Sequence, residues 1–155
     1  MSQITIESFV YTYTQLREAV RDLGDAELKW KQSSEIWSIQ EVLSHLVDHS
    51  LVISFRIRDI LAGTQAVLPV FAQDAWVSGQ YSNEGNANEI LNAFRAILHY
   101  NRLLLERLND EDLAKTGVNS KGERVSVSDI VAAFTRHVQN HLGQIQRIKQ
   151  AAALV

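Results

Sequence analysis

Apolar residues recur at helical spacing in four long stretches of the chain. The first stretch covers about residues 4 to 23 and stops near Gly24, a residue type that often ends a helix. The second follows Ser38, which stands three residues before Glu41 in the spacing of a capping box, and it stops at Gly63. These patterns predict two amphipathic helices.

The second half of the chain repeats this arrangement. Asn86 and Glu89 have the cap-then-acid spacing and open a third apolar stripe that continues to Leu108. Ser126 and Asp129 open a fourth, which ends the chain. The sequence therefore predicts four long amphipathic helices.

The segments between these helices differ in length. Residues 64–85 lose the helical period and contain the only proline, Pro69, so they predict a long connection that crosses the bundle or covers a site. Residues 110–113 predict one short turn, and the polar residues 117–124 a loop or small hairpin. We expect one domain over residues 1–155, an all-α four-helix bundle with its long connection between helices two and three.

Composition narrows the function classes. The 155 residues are 46% hydrophobic and carry 15 basic and 18 acidic side chains, a formal charge of -3 without a long run of one sign. This balance lacks the basic surface typical of nucleic-acid binding. We see no signal peptide and no apolar run of membrane-spanning length, so we expect a cytoplasmic protein without a membrane partner.

The chain has no cysteine, so any metal site has only nitrogen and oxygen ligands. Four of the five histidines form two pairs with i, i+4 spacing, His45 with His49 and His137 with His141. At about 100° per residue, His45 and His137 lie roughly 60° from the centre of their apolar stripes, and His49 and His141 roughly 20°. All four are therefore predicted to point at the core or its edge.

Four imidazoles facing one apolar interior need partners for their ring nitrogens. A divalent ion is the simplest way to satisfy them, since two histidines one turn apart can bind one ion. The alternative is that each histidine is a core residue bonded to a carbonyl or hydroxyl group. The two matched pairs favour the metal site.

Two motifs resemble the DinB/YfiT-like family of metal-dependent bundle proteins. Residues 37–48, WSIQEVLSHLVD, are similar to the family pattern W-S-x-x-E-V-L-x-H-L-x-D. Residues 137–145, HVQNHLGQI, are similar to its H-x-x-x-H-x-G-Q-I ending. The resemblance extends over nearly the full chain.

The resemblance implies a metal triad of His45, His137 and His141 that binds zinc or nickel and leaves positions open for water or substrate. It also implies a homodimer and a small-molecule substrate of unknown identity. The family's relatives include thiol-dependent S-transferases and a maleylpyruvate isomerase. His49 is not required by the family's site, so it could be a fourth ligand, a base beside a bound water, or a packed core residue.

Three hypotheses of function follow. The first is a metal-dependent enzyme that activates a water or thiol nucleophile, as a hydrolase or thiol S-transferase, with His49 as the candidate catalytic base. The second is a non-catalytic metal-binding stress or accessory protein, and a shell closed by four histidines would favour it. The third is a helical interaction module without metal.

Several other polar and aromatic residues have open roles. Asp48 could orient an imidazole or be a solvent-facing or structural acid. Asn101 falls on the apolar stripe of the third helix and could be a polar contact inside the bundle or a satisfied core amide, whereas His99 points away from that stripe. Trp37 and Trp76 could line the mouth of a pocket or serve as packing anchors.

Overall fold

Four long helices dominate the computed structural model, which describes residues 3–66 and 70–155. In chain order the elements are α1 (Gln3–Val20), α2 (Asp25–Lys29), α3 (Ile39–Ala62), α4 (Gln73–Gly79), a 3-10 turn (Ser82–Glu84), α5 (Ala87–Leu105), α6 (Asp110–Ala114), β1 (Thr116–Val118), β2 (Arg124–Ser126) and α7 (Val127–Ala152). The two strands pair antiparallel, with Gly117 opposite Val125. The predicted all-α four-helix bundle is confirmed.

The ends of the helices differ from prediction at two places. Helix α1 ends at Val20, and Gly24 begins the short helix α2 instead of ending α1, because its N–H donates to Glu27 Oε2 at 2.7 Å. Helix α5 ends at Leu105, before the predicted end at Leu108. The predicted stop of α3 is confirmed, since Gly63 adopts a left-handed conformation with φ of 71°.

The long connection between α3 and α5 contains more structure than the sequence predicted. It forms α4 and the 3-10 turn, while residues 67–69, including Pro69, lie outside the described residues. Gln40 is fully buried and holds the end of this connection, because its Nε2 donates to the carbonyls of Ser82 at 2.6 Å and Gly85 at 3.0 Å.

The order of the four long helices around the bundle, α1-α5-α3-α7, differs from their order in the sequence. Helix α3 packs against α5 and α7, and α1 packs against the same two helices, so α1 and α3 occupy opposite corners. This arrangement makes α3 and α7 neighbours although they are far apart in sequence. The two histidine pairs therefore face one interior.

One hydrophobic core runs between the four helices. Phe9 of α1, Phe94 of α5 and Phe134 of α7 meet at its centre, with ring centroids of Phe134 5.0 Å from Phe9 and 6.2 Å from Phe94. Leu46 and Ile57 of α3 are fully buried in the same core. Among the described residues, no helix combines the length and the apolar character needed to cross a membrane.

Ser38 fixes the start of α3 and thereby the position of His45. Its Oγ accepts from Glu41 N at 3.1 Å, donates to Asn83 Oδ1 at 2.6 Å, and is fully buried. Ser126 caps α7 with the same capping box, at an exposed hydrogen bond of 3.0 Å to Asp129 N. The two caps therefore differ mainly in burial and in the additional bond to Asn83.

We expect Ser38→Ala to lower the free energy of unfolding by about 2 kcal/mol and Ser126→Ala by about 1 kcal/mol, because only the first change also leaves the half-buried amide oxygen of Asn83 without its donor. Urea unfolding of chelator-treated protein, followed by tryptophan fluorescence, measures both. Equal losses in the two variants would mean that the bond to Asn83 contributes nothing.

Candidate metal centre

The ring nitrogens of His45, His137 and His141 converge between α3 and α7. One nitrogen from each ring lies within 4.8 Å of the others, close enough for the three to hold one metal ion. Nε2 of His45 is 3.0 Å from Nε2 of His137. Two imidazole nitrogens that share a tetrahedral ion at about 2.0 Å lie about 3.3 Å apart, so this spacing fits a common ion.

His45 is not bonded as an ordinary core histidine. It is fully buried, and its Nδ1 has no hydrogen-bond partner among the described residues. A buried imidazole with an unpaired nitrogen costs free energy that an apolar side chain would not. This observation disfavours the interpretation of His45 as a satisfied core residue.

Gln144 determines which nitrogen of His141 is free. Its Oε1 lies 2.7 Å from His141 Nδ1, and because an amide oxygen only accepts, the ring donates from Nδ1. The lone pair of His141 is then on Nε2, the nitrogen left for a metal. A hydrogen bond to the other ring nitrogen is a common support of histidine ligands.

The histidines of the cluster are neutral at neutral pH. Burial, with the charges of His141 and His137, lowers the pKa of His45 to about 3, and burial with the charge of His141 lowers the pKa of His137 to about 4. Burial also lowers the pKa of His141, while its bond to Gln144 opposes the shift. Neutral imidazole is the form that binds metals.

Aromatic rings cover one side of the triad. The ring of Phe71, from the connection before α4, stacks on His45 at a centroid distance of 5.8 Å and an interplanar angle of 8°. The ring centroid of Trp37 lies 5.0 Å from that of His45 and 6.5 Å from that of His141. Trp76 meets Phe71 edge-on, with their ring centroids 4.9 Å apart. Trp37 and Trp76 therefore pack around the cluster and do not line the cleft described below.

His49 stands beside the triad without joining the cluster of converging nitrogens. Its ring lies 4.0 Å from that of His137 and stacks on Phe134 at 5.8 Å. Its Nδ1 is buried and has no partner among the described residues. Burial first, then the charges of His137, His45, Arg56 and His141, lower its pKa to about 3, so it too is a neutral acceptor at neutral pH.

A cleft of about 1130 Å³ reaches the cluster at His49 and His137. Its walls are α3 from His49 onward with the residues that follow it to Ala66, the β-hairpin, and α7 from Asp129 to His137. This volume is large enough for a small-molecule ligand. The cluster is therefore covered by aromatic rings on one side and open to a cleft on another.

The polar residues with open roles have structural partners. Asp48 is buried and accepts from Gln80 Nε2 at 2.6 Å, which ties the end of α4 to α3, and no bond joins it to an imidazole within the described residues. Burial raises its pKa, and the bond to Gln80 opposes this. Asn101 is buried and bonds Arg58 at 2.8 Å and Ser54 at 2.7 Å, as a polar contact inside the bundle. His99 is exposed, as predicted.

Three residues at the site were given no role there from the sequence, although Gln144 belongs to the second motif. Gln144 stands three residues after His141, a spacing that could have identified it. Arg56 stands seven residues after His49, on the same helical stripe, and could have been found in the same way. Phe71 could not, because its place over His45 depends on the fold of the connection.

A model of the DinB superfamily matches residues 8–145 of the chain. A protein of Oceanobacillus iheyensis that bears the provisional name of a metal-dependent hydrolase is 25% identical over 154 residues, which cover 93% of this chain and 87% of that protein. The site lies within the matched region.

Solved structures share the fold. YfiT from Bacillus subtilis, described as a probable metal-dependent hydrolase with an unusual four-helix bundle topology, superposes with a TM-score of 0.88 at 18% identity, over 99% of this chain and 90% of YfiT. A mycothiol-dependent maleylpyruvate isomerase superposes with a TM-score of 0.76 at 11% identity, over 92% of this chain and 60% of the isomerase. At these identities the similarity concerns the fold alone.

Proposed function

The chain belongs to the DinB superfamily, and on that premise we propose that it is a metal-dependent enzyme whose ion is held by His45, His137 and His141. The ion we propose is zinc or nickel, since imidazole nitrogen suits both. The proposed reaction is attack of an activated water or thiol on a small-molecule electrophile, as in a hydrolase or a thiol S-transferase.

The observation that carries this proposal is a three-nitrogen cluster at the end of a cleft. Three neutral imidazoles converge within 4.8 Å, and the cleft reaches them at His137. Three protein ligands with an open position are the arrangement of catalytic zinc sites, whereas structural sites are closed by four protein ligands. An ion at that position supplies Lewis acidity, which lowers the pKa of a water or thiol that binds there.

The chain's own residues hold the site in shape and limit access of water. Gln144 fixes the tautomer of His141, so that its Nε2 stays unprotonated. Phe71 and Trp37 cover His45, so substrate enters from the cleft side. An apolar surface that excludes water strengthens the electrostatic interactions inside a site.

His49 is proposed to accept a hydrogen bond from the nucleophile. It lines the cleft next to His137 and is neutral, so it has a lone pair to offer. Because its pKa is lowered to about 3, we assign it the role of orienting the nucleophile more than that of retaining the proton.

Two relatives favour the hydrolytic branch, because the Oceanobacillus iheyensis protein bears the provisional name of a metal-dependent hydrolase and YfiT is described as a probable one. The thiol branch is supported by the fold shared with an isomerase that is described as mycothiol-dependent. Both branches need the same open position on the ion, so one experiment tests what they have in common.

Cobalt substitution tests the open position directly. We expect the visible spectrum of the cobalt-loaded protein to change when 2-mercaptoethanol or azide is added, because an exogenous ligand binds where no protein ligand stands. His49→Gln is expected to bind one equivalent of cobalt and to show the same change, since His49 is not a ligand.

His141→Ala is the matched control and is expected to lose the cobalt spectrum. A spectrum that no exogenous ligand alters in the parent, but that azide alters in His49→Gln, would show that His49 closes the shell. That result would contradict the proposed enzyme and favour a non-catalytic metal-binding protein. A positive result justifies a screen of ester and amide hydrolysis and of thiol transfer to electrophiles.

A further inference from the structure

Arg56 lines the cleft from α3 and has no partner for its guanidinium among the described residues. Its Nε is buried and forms no hydrogen bond with any residue that the structure describes. Within residues 3–66 and 70–155 it forms no ion pair either. A partly buried cation without a counter-ion costs free energy, so a ligand that supplies the negative charge would stabilise Arg56 at this position.

The position of Arg56 relates it to the metal centre. It follows His49 by seven residues, which puts the two on the same stripe of α3 and about 10 Å apart along the helix axis. Side chains lean toward the N-terminus of their helix, so the guanidinium is directed back toward His49.

The acids that line the cleft already have partners. Asp59 accepts from Thr64 Oγ1 at 2.7 Å, Glu123 accepts from Asn119 Nδ2 at 2.9 Å, and Asp129 accepts from Ser126 N at 2.9 Å. Each of these bonds shapes a turn or a helix start. None of the three carboxylates bonds Arg56, so they do not supply its counter-ion.

The other two described arginines that line the cleft differ from Arg56 in their exposure to solvent. Arg124 is exposed and donates to Thr116 Oγ1 at 3.0 Å, and Arg136 is exposed with its charge acting on Asp129. Arg56 is the only half-buried arginine among the described residues that line the cleft. It is therefore the side chain best placed to bind an anion deep in this space.

We propose that Arg56 binds an oxyanion group of the substrate, a carboxylate or a phosphate, while the reacting atom of the same molecule lies at the histidine triad. A guanidinium binds either group through two parallel hydrogen bonds. The substrate class is then an anionic small molecule whose electrophilic centre lies at the triad while its charged group lies at Arg56. This inference rests on the proposed function, because the second end of the molecule is held at the metal.

The probes are alkyl hydroxamates with four to eight methylene groups, since a hydroxamate binds zinc at one end. The other end carries a carboxylate, a phosphonate or a neutral methyl amide. Calorimetric titration of the zinc-loaded protein is expected to give at least about 10-fold tighter binding for a charged probe than for the amide of the same length. The charged group, carboxylate or phosphonate, that gives the larger gain in affinity identifies the oxyanion that Arg56 prefers.

Arg56→Gln is expected to remove this gain and to leave the affinity for the methyl amide within about 2-fold, since the hydroxamate end is untouched. Arg124→Gln is the matched control, because it removes an arginine at the exposed rim of the same cleft, and it is expected to keep the gain. Zinc content and thermal unfolding of each variant establish that the site and the fold are intact.

The outcomes separate the two proposals. If the methyl amide binds but neither charged probe binds more tightly, or if Arg56→Gln keeps the gain, the assignment of Arg56 is overturned and the metal-dependent function stands. If no hydroxamate binds the zinc-loaded protein, the open position on the metal is refuted and the assignment of Arg56 falls with it.

Discussion

Replacement of His45, His137 or His141 by alanine is expected to lower the affinity for zinc or nickel by more than about 100-fold, because loss of a group that only orients a ligand already costs about 10- to 100-fold. The three rings provide the converging nitrogens of the cluster, so each removal leaves two ligands. Competition with a chromophoric chelator measures the affinity of parent and variants.

Two further variants make this expectation specific. His99→Ala removes an exposed histidine and is expected to leave the affinity unchanged. Gln144→Ala removes the acceptor of the His141 Nδ1 proton and is expected to cost about 10- to 100-fold, less than any ligand. Equal affinities in the parent and His141→Ala would exclude His141 from the site.

Metal loading is expected to raise the free energy of unfolding by about 4 kcal/mol when free metal exceeds the dissociation constant about 1,000-fold. The reason is that the triad joins α3 and α7 only in the folded chain, so the ion binds the native state preferentially. For a chain of this size, that corresponds to a rise of about 8 to 16 °C in Tm. Thermal unfolding with zinc or nickel, against chelator-treated protein, measures the shift.

Magnesium and His137→Ala provide the controls for this second expectation. Magnesium prefers oxygen ligands and is expected to leave Tm unchanged. His137→Ala is expected to show a much smaller rise with zinc, because its affinity is lowered by more than about 100-fold. An equal rise in the variant would mean that zinc stabilises the protein from somewhere other than the triad.

The four long helices could be predicted because each buries a stripe over several turns. Ser38, Asn86 and Ser126 also cap the helices that follow them, as their spacing indicates. Helices α2 and α4 could not be predicted, because five and seven residues are too few to establish a period. In α4, moreover, Val77 is the single buried residue.

The triad could be predicted in part from two pairs of histidines on apolar stripes. The i, i+4 spacing alone did not separate His49 from the triad, because it treats both members of a pair alike; only the family resemblance set His49 apart. The separation depends on how α3 and α7 pack, and there His45 approaches His137 at 3.0 Å while His49 stacks on Phe134. These tertiary contacts therefore disfavour His49 as a fourth ligand.

The cleft and the residues that line it could not be predicted from the sequence. Its walls combine α3, α7 and a hairpin whose position depends on the close approach of Gly117 to Ile60, where a Cβ atom would lie 2.8 Å from Cγ1. The aromatic cover depends likewise on the connection that carries Phe71 to His45. Contacts between distant segments therefore decide substrate access.

Elemental analysis of protein purified without affinity histidines or chelators tests the metal centre most directly. We predict about one equivalent of zinc or nickel in the parent protein and almost none in His137→Ala. A parent protein that contains no metal, and takes up none when zinc or nickel is added, would contradict the metal centre and leave a helical bundle whose buried histidines serve another purpose.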